Sequence, residues 1–322
     1  MYFRYLEYFL EIARDNNISK AAERLFVSQS AVNQYLLKLE NELGTKLFER
    51  TPRNWQLTEA GKIYLEGCRK ALLVRKDTYQ KIADITESNT STLTVGLTPI
   101  RGLIMFTSIY PELHQKYPGV TVIPIELNAQ AQLTAASYGK IDLGFMVQKS
   151  NITPSHTTID LGAEEMVVQV PSSNRFFQEK KDYSISFTAT HGSYPILPVI
   201  DLKQLEDIPF VLTRKGSSGS VLRDICDSIF REANFSPKIL METTETPHIV
   251  RMAEACGCCG IVPRYYAEMD NPNFSYFVLP SHPTWNLYII HRTDGYLTQA
   301  AREYIALAKK YWENHLIPPQ SN

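Results

Sequence analysis

The 322-residue chain has few cysteines, almost no net charge and no long apolar run. Its five cysteines are an odd number, and their spacing suggests no disulfide framework. A net charge of −1 excludes a global polycation that would hold DNA or a membrane by charge alone. No apolar run approaches the roughly 18–20 residues of a membrane helix, and the charged N-terminus is unlike a signal peptide. We therefore expect a cytoplasmic protein without a membrane partner.

Sequence motifs for catalysis and cofactor binding are also missing. There is no Walker, GxGxxG or HExxH motif. Cys256, Cys258 and Cys259 stand together without a CxxC pair or a nearby histidine cluster, so small buried residues in a turn explain them better than a metal or redox site. "KGSSGS" at 215–220 lacks the strand and helix context of a nucleophilic serine. We expect no catalytic residue, no metal and no cofactor, and hence no enzyme activity.

The N-terminal residues show helical periodicity broken by short polar turns. A first helix is predicted from Phe3 to Ala13. A second, capped by Ser19, is predicted from Lys20 to Phe26. A third begins at Gln29 or Ser30 and ends before Gly44. Its predicted buried residues are Val32, Leu36, Leu39 and Leu43. Two helices joined by a turn of three or four residues form a helix-turn-helix unit.

The start of the third helix is polar but carries few cations. In a helix-turn-helix unit this start enters the major groove, where neutral amides pair with adenine edges while cations contact phosphates. The cations follow on a predicted two-stranded wing. The predicted DNA-binding residues are Ser28, Gln29, Ser30, Asn33, Gln34, Lys38, Lys46, Arg50 and Arg53. The alternative is that these side chains only decorate a small helical bundle.

A long helix is predicted after the wing. Thr58 is its expected N-cap, and apolar positions then alternate by four and three, which is typical of a pairing seam. The seam residues are Tyr64, Cys68, Ala71, Arg75, Thr78, Ile82 and Ile85. A lone surface helix would satisfy the same pattern.

A stretch of about forty residues resembles one family closely. "AAERLFVSQSAVNQYLLKLENELGTKLFERTPRNWQLTEAG" is similar to the DNA-binding domain of LysR-type transcriptional regulators. The resemblance implies a winged helix-turn-helix followed by a dimerising linker helix, and double-stranded DNA with a partly palindromic operator as partner. Three positions depart from the family pattern: Asn33 stands where serine is common, Gln34 where arginine is common, and Trp55 replaces a smaller apolar wing residue.

The rest of the chain alternates strands and helices. Strands at 93–97, 120–127 and 141–147 enclose helices in a βαβαβ order, which predicts a parallel sheet. A strand at 164–171 crosses to a second unit. Strands at 274–280 and 285–292 are predicted to return to the first unit. This order resembles the effector domain of the same family, a two-lobed α/β domain of the type 2 periplasmic-binding-protein kind.

The predicted domain limits follow from this order. They are 1–58 for the winged helix-turn-helix, 59–89 for the linker helix, 90–168 with 269–322 for lobe I, and 169–268 for lobe II. One segment, 183–200, makes this region about 15 residues longer than the family pattern needs. Its strand-like alternation around His191, Gly192 and Ser193 suggests an extra hairpin.

Ligands of such sheets bind at the carboxyl ends of strands and at helix N-termini. The predicted effector-binding residues at these places are Thr98, Pro99, Arg101, Gln130, Gln148, Ser217, Ser218 and Thr244. The resemblance implies that Thr98, Gln130, Ser217 and Ser218 line the effector cleft, and Arg101 is a candidate added cation. Free N–H groups and hydroxyls suit a carboxylate-bearing effector. The alternative for 215–220 is a plain flexible loop.

These observations predict a multidomain α and α/β protein that regulates transcription. It would bind a specific DNA sequence, respond to a small-molecule effector held between its two lobes, and form a homodimer or homotetramer. The alternative is a small-molecule binding protein or enzyme whose N-terminal helices only dimerise.

Overall fold

The computed structural model describes residues 3–51, 54–86, 91–148, 156–172, 190–191, 194–216, 220–268 and 270–316. These residues form two compact units, 1–88 and 89–322. A separate cluster of buried apolar side chains lies inside the first unit. The second unit has a larger cluster and a smaller satellite.

The first unit is a three-helix bundle with a two-stranded wing and a long helix. Its elements are α1 (Phe3–Asp15), α2 (Ile18–Leu25), α3 (Gln29–Leu43), β1 (Phe48–Thr51), β2 (Asn54–Leu57) and α4 (Glu59–Ile85). The predicted buried stripe of α3 is confirmed at Val32, Leu36 and Leu39. It is wrong at Leu43, which is 44% exposed, because the last turn of α3 extends past the core before Gly44 ends the helix in a left-handed conformation.

Helix α2 begins two residues earlier than the sequence predicts. Asn17, rather than Ser19, is its N-cap: the Asn17 side chain accepts a hydrogen bond from the Lys20 amide at 3.0 Å. Asparagine and serine cap helices equally well, so the choice depends on where the chain leaves α1. Asn16 turns that connection with a φ of +49°. The predicted cap at Thr58 is confirmed, since its hydroxyl accepts from the Gly61 amide at 3.0 Å.

The predicted pairing seam of α4 divides into two parts. Tyr64, Cys68 and Ala71 pack into the core of their own unit, and Cys68 is buried. Arg75 lies over the Phe3 ring and pairs with Glu7, so it also faces α1. The sequence prediction that all of these residues face a second helix is therefore wrong for the first half of α4. Exposed apolar side chains remain in the second half, at Val74, Tyr79, Ile82 and Ile85.

The second unit begins with the predicted parallel sheet. Its elements are β3 (Thr92–Leu97), α5 (Arg101–Lys116), β4 (Thr121–Glu126), α6 (Ala129–Ser137) and β5 (Leu143–Gln148). Strand β3 lies between β4 and β5 and is parallel to both. The βαβαβ prediction is confirmed.

A long strand, β6 (His156–Pro171), joins two halves of this unit. Residues as far as Glu165 pair with β13 (Thr284–Arg292). Residues from Met166 onward pair with β11 (Cys259–Pro263). The partner change at Glu165 and Met166 marks the crossover between two lobes.

The remaining elements complete both lobes. They are β7 (Thr190–His191), β8 (Tyr194–Pro195), β9 (Phe210–Thr213), α7 (Ser220–Glu232), β10 (Ile239–Thr243), α8 (Thr246–Cys256), β12 (Phe274–Val278) and α9 (Gln299–His315). The prediction that 274–280 returns to the first lobe is wrong. Strand β12 pairs with Val167–Pro171, in the second half of β6, because the chain crosses back only at Thr284.

The segment 183–200 is described in part. Strands β7 and β8 pair antiparallel, as the predicted hairpin requires. Val199 then bridges to Val278, the last residue of β12. Residues 183–189 and 192–193 of this prediction lie outside the described residues.

Candidate DNA-binding and effector-binding sites

A three-residue turn joins α2 to α3 in the first unit. Phe26 adopts a left-handed conformation there, and its amide donates to carbonyl oxygens of α2. Ser28 then caps α3 by accepting from the Ala31 amide at 3.2 Å. The small residues Ala21 and Ala22 are buried on α2 and let α3 lie close. The predicted helix-turn-helix geometry is therefore present.

The start of α3 presents two neighbouring rows of polar side chains. Gln29 and Asn33 form one row at a spacing of four, and Ser30, Gln34 and Lys38 form the next. Gln29, Ser30, Gln34 and Lys38 are exposed, and Asn33 is half-buried. Gln29, Ser30 and Asn33 also line one surface concavity. This arrangement can offer amide and hydroxyl groups to base edges. DNA contact by these residues stays a prediction.

The concavity has a second wall that the sequence did not indicate. It is formed by Asn16, Asn17, Ile18 and Ser19 at the start of α2, and by Trp55 of the wing. The sequence signal was present at Trp55, which stood out as a departure from the family pattern. The α2 side chains gave no signal, because only the tertiary contact of α2 with α3 brings them to the same surface.

The predicted wing cations are placed differently from one another. Lys46 precedes β1 and is not on a strand; its ammonium lies 3.1 Å from the buried carboxylate of Glu40. Glu40 also accepts from the Leu47 and Phe48 amides, so it orders the entry to the wing. Lys46 therefore has a structural partner as well as an exposed ammonium. Arg50 lies on β1, but its side chain is outside the described set, and Arg53 is outside it entirely.

The second unit contains a cavity where four helices begin. α5, α6, α7 and α8 all contribute residues from their N-terminal ends, and Tyr266 and Trp285 form an aromatic wall. The lining is Thr98, Pro99, Arg101, Asn128, Ala129, Val147, Val221, Leu222, Glu245, Thr246, Pro247, Tyr266 and Trp285. Helix N-termini carry partial positive charge and unpaired N–H groups, so the cavity suits an acidic group. Its volume is about 70 Å³, which is room for a small ligand.

Arg101, which lines this cavity, is a buried cation. Its guanidinium contacts the buried carboxylate of Glu164 on β6. The rings of Tyr265 and Trp312 lie 4.6 Å from it. Glu164 compensates the charge of the predicted added cation, and effector contact by Arg101 stays a prediction. The Nε and Nη2 atoms of Arg101 are buried without a hydrogen-bond partner.

Glu164 holds several groups at the crossover between the lobes. It accepts hydrogen bonds from the Trp285 indole at 2.6 Å and from the Tyr265 amide at 2.9 Å. Its neighbour Glu165 accepts from Arg264 at 3.3 Å. The double glutamate inside the apolar run "GAEEMVVQV" was the sequence signal for this cluster, and sequence reasoning missed it.

The structure brings some of the predicted effector residues together and not others. Thr98, Pro99 and Arg101 line the cavity, and the Thr98 hydroxyl is buried without a hydrogen-bond partner. Gln130 and Thr244 are exposed and do not line it. Gln148 lies on β5 with its side chain outside the described set, and Ser217 and Ser218 fall outside the described residues. Effector contact by all of these residues stays a prediction.

Protonation states near the cavity follow from burial. Burial raises the pKa of Tyr266 to about 12, so its phenol is neutral at physiological pH and can donate a hydrogen bond. Burial likewise raises the pKa of the thiols of Cys226 and Cys258, to about 12 and about 11. These two thiols are therefore poor nucleophiles. Among the described helices, none combines the length and the apolar character needed to cross a membrane.

Comparisons with known proteins cover both units. Residues 3–62 match the bacterial regulatory helix-turn-helix protein model of the lysR family, and residues 86–313 match the LysR substrate binding domain. The chain is 28% identical over 316 residues to the uncharacterized HTH-type transcriptional regulator YwbI of Bacillus subtilis, covering 97% of this chain and 98% of YwbI.

Solved structures show the same fold. Full-length CbnR in complex with its target DNA superposes with a TM-score of 0.57 at 20% identity, covering 97% of this chain and all of that one. A full-length OxyR variant from Pseudomonas aeruginosa superposes with a TM-score of 0.63 at 19% identity, covering 99% and 100%. The chain belongs to the LysR family of bacterial helix-turn-helix transcriptional regulators.

Proposed function

We propose that the chain regulates transcription by reading double-stranded DNA with the start of α3 and by binding a small effector in the cavity of the second unit. The main support for this proposal is the two polar rows of α3. A helix that only packed in a small bundle would not require amide side chains aligned along its exposed face. Gln29, Ser30, Asn33 and Gln34 are the proposed base readers, with Ser28 and Lys38 beside them. CbnR, a solved structural neighbour, was crystallised on its target DNA.

The proposed base readers are tested with Gln34→Ala. Duplexes that the full-length chain prefers are first selected from a random library, and affinity is then measured on a selected and an unrelated duplex. We expect Gln34→Ala to lose about 5- to 100-fold of discrimination, the value of one bidentate base contact, and to keep its non-specific affinity. Gln115→Ala, at an exposed glutamine of the other unit, is the matched control and should bind as the unaltered chain does. Intact discrimination in Gln34→Ala would remove Gln34 from the readers.

The effector is proposed to be a small molecule with an acidic group. Unpaired Arg101 nitrogens, the unpaired Thr98 hydroxyl and four helix starts support this. A cavity of about 70 Å³ is below the roughly 150 Å³ that encloses benzene, so this conformation suits a small aliphatic acid better than an aromatic one.

A thermal-shift series tests the effector site. Acetate, succinate and benzoate are the probes. We expect at least one to raise the melting temperature by about 5 °C or more at roughly a hundred times its dissociation constant, because it binds only the folded state. Thr98→Val should weaken this shift, whereas Gln115→Ala, at an exposed glutamine of α5 that does not line the cavity, should not. Equal shifts in Thr98→Val and the unaltered chain would place the acid elsewhere.

The remaining proposals concern organisation. We propose that residues 1–58 form the DNA-binding domain and residues 59–89 the linker helix. Because β6 changes its partner strands between Glu165 and Met166, we assign 90–165 with 284–322 to lobe I and 166–283 to lobe II. The exposed apolar residues of α4 support a homodimer or homotetramer, which would bind a partly palindromic operator. We propose that the chain acts as a regulator and not as an enzyme. We also propose that it is located in the cytoplasm, because that is where a bacterial regulator meets the chromosome.

A further inference from the structure

Trp55 lies between the core of the first unit and the surface concavity beside α3. It is half-buried on β2, and its ring centroid lies 5.5 Å from that of Phe48. Part of the indole therefore packs on the core. The antiparallel register places Trp55 opposite Arg50 on β1, so the residue sits in the middle of the wing.

The other side of Trp55 lines the concavity with the starts of two helices. Asn16, Asn17 and Ser19 come from the start of α2, and Gln29 and Asn33 from that of α3. Apart from Ile18, the side chains that share this concavity with Trp55 are polar. The core does not require an aromatic ring at this position, because a smaller apolar side chain would also cover Phe48.

The position of these helix starts indicates what a side chain here would meet. In a helix-turn-helix complex the first helix crosses the DNA backbone, while the start of the second reaches base edges. Trp55 contacts the same concavity as the starts of α2 and α3. In a DNA complex, that position lies where the sugar–phosphate strand runs along the edge of the major groove. Deoxyribose offers an apolar surface there, and an indole offers a flat apolar face.

We propose that Trp55 is a DNA-backbone contact that packs its indole on deoxyribose beside the reading helix. The inference rests on the proposed DNA binding and assigns a residue that neither the base readers nor the cations include. Because no cation is involved, the contact releases no counterion and its contribution is independent of salt. Because it touches sugar and not base edges, it adds the same affinity to every sequence.

Affinity measurements on the full-length chain test the contact. We expect Trp55→Leu to weaken binding about 5- to 20-fold on both a selected and an unrelated duplex, the factor for losing roughly 40–70 Å² of buried apolar surface. The slope of log affinity against log salt should not change, and Trp55→Phe should lose less. Lys38→Gln is the contrasting variant, since removing a phosphate contact lowers the slope by about 1.

Acrylamide quenching of tryptophan fluorescence distinguishes a DNA contact from a purely structural role. If Trp55 only packed on the core, DNA would not change its accessibility to acrylamide. The other two tryptophans, Trp285 and Trp312, are only 6% and 0% exposed, so Trp55 is the accessible fluorophore. We expect saturating duplex to lower the quenching constant severalfold, and Trp55→Phe to remove that change.

Three results would overturn the proposal. They are unchanged quenching while DNA is bound, an altered base preference in Trp55→Leu, or equal affinity of Trp55→Leu and the unaltered chain. Failure of the unaltered chain to bind any duplex would overturn the proposed function together with this contact, so the two failures are distinguishable.

Discussion

Replacing Glu164 with alanine is expected to destabilise the second unit by about 3–5 kcal/mol, the cost of leaving a buried charge without its partner. Arg101 and Glu164 are 3% and 1% exposed, so water cannot replace the lost carboxylate. The substitution also deprives the Trp285 indole and the Tyr265 amide of their acceptor. Each unsatisfied buried donor adds to the cost.

Urea unfolding measures this effect. Trp285 and Trp312 lie beside Arg101, so their fluorescence reports on the unfolding of the second unit. The measurement is made in a Trp55→Phe background, which removes the tryptophan fluorescence of the first unit. The matched control is the double variant Arg101→Met with Glu164→Gln. It removes both charges, keeps an acceptor for the indole, and should recover most of the lost stability. A cost below about 1 kcal/mol for Glu164→Ala would show that the pair does not hold the crossover.

Replacing Gly61 with alanine is expected to destabilise the first unit by about 2–3 kcal/mol and to weaken DNA binding with it. A Cβ at Gly61 would lie 2.1 Å from the carbonyl oxygen of Leu47 and 2.9 Å from a methyl group of Leu57. The first of these is backbone and cannot rotate away. That same carbonyl accepts from the Thr58 amide at 3.0 Å, so α4 would have to move from the wing.

Gly67 is the matched control because it lies on the same helix in open space. Gly67→Ala should stabilise the chain by about 0.5–1 kcal/mol, since alanine is the better helix former. Trp55 fluorescence during thermal unfolding follows the first unit for both variants. Equal stability of the two alanine variants would mean that the approach of α4 to Leu47 is not tight.

The sequence predicted the architecture where local signals and the family pattern agree. The short turn, the start of α3 at Gln29 and the closing Gly44 depend on neighbouring residues alone, and the structure confirms them. The alternation of strands and helices likewise predicted the parallel sheet. The family and the regulatory function followed from the same forty residues and are confirmed by the comparisons.

Long-range contacts account for most of the errors. The heptad pattern of α4 could not distinguish a partner helix from the core of its own unit, since both bury the same face. The strand at Phe274–Val278 carries no sequence mark of the lobe that it joins, because pairing on either side of β6 buries the same apolar residues. The contact of Lys46 with Glu40, 3.1 Å away, is also absent from any local pattern, although the prediction of a phosphate contact by Lys46 stands.

The sequence by itself determined the family and the helix-turn-helix, because these depend on residues close together in the chain. Only the tertiary structure decided that Arg101 is compensated, since its partner Glu164 is distant in sequence and meets it where β6 crosses between the lobes. Only the tertiary structure placed Trp55 beside the start of α2. Which charges pair, and which side chains share a surface, depend on how helices and strands pack against one another. A local pattern of residues does not indicate that packing.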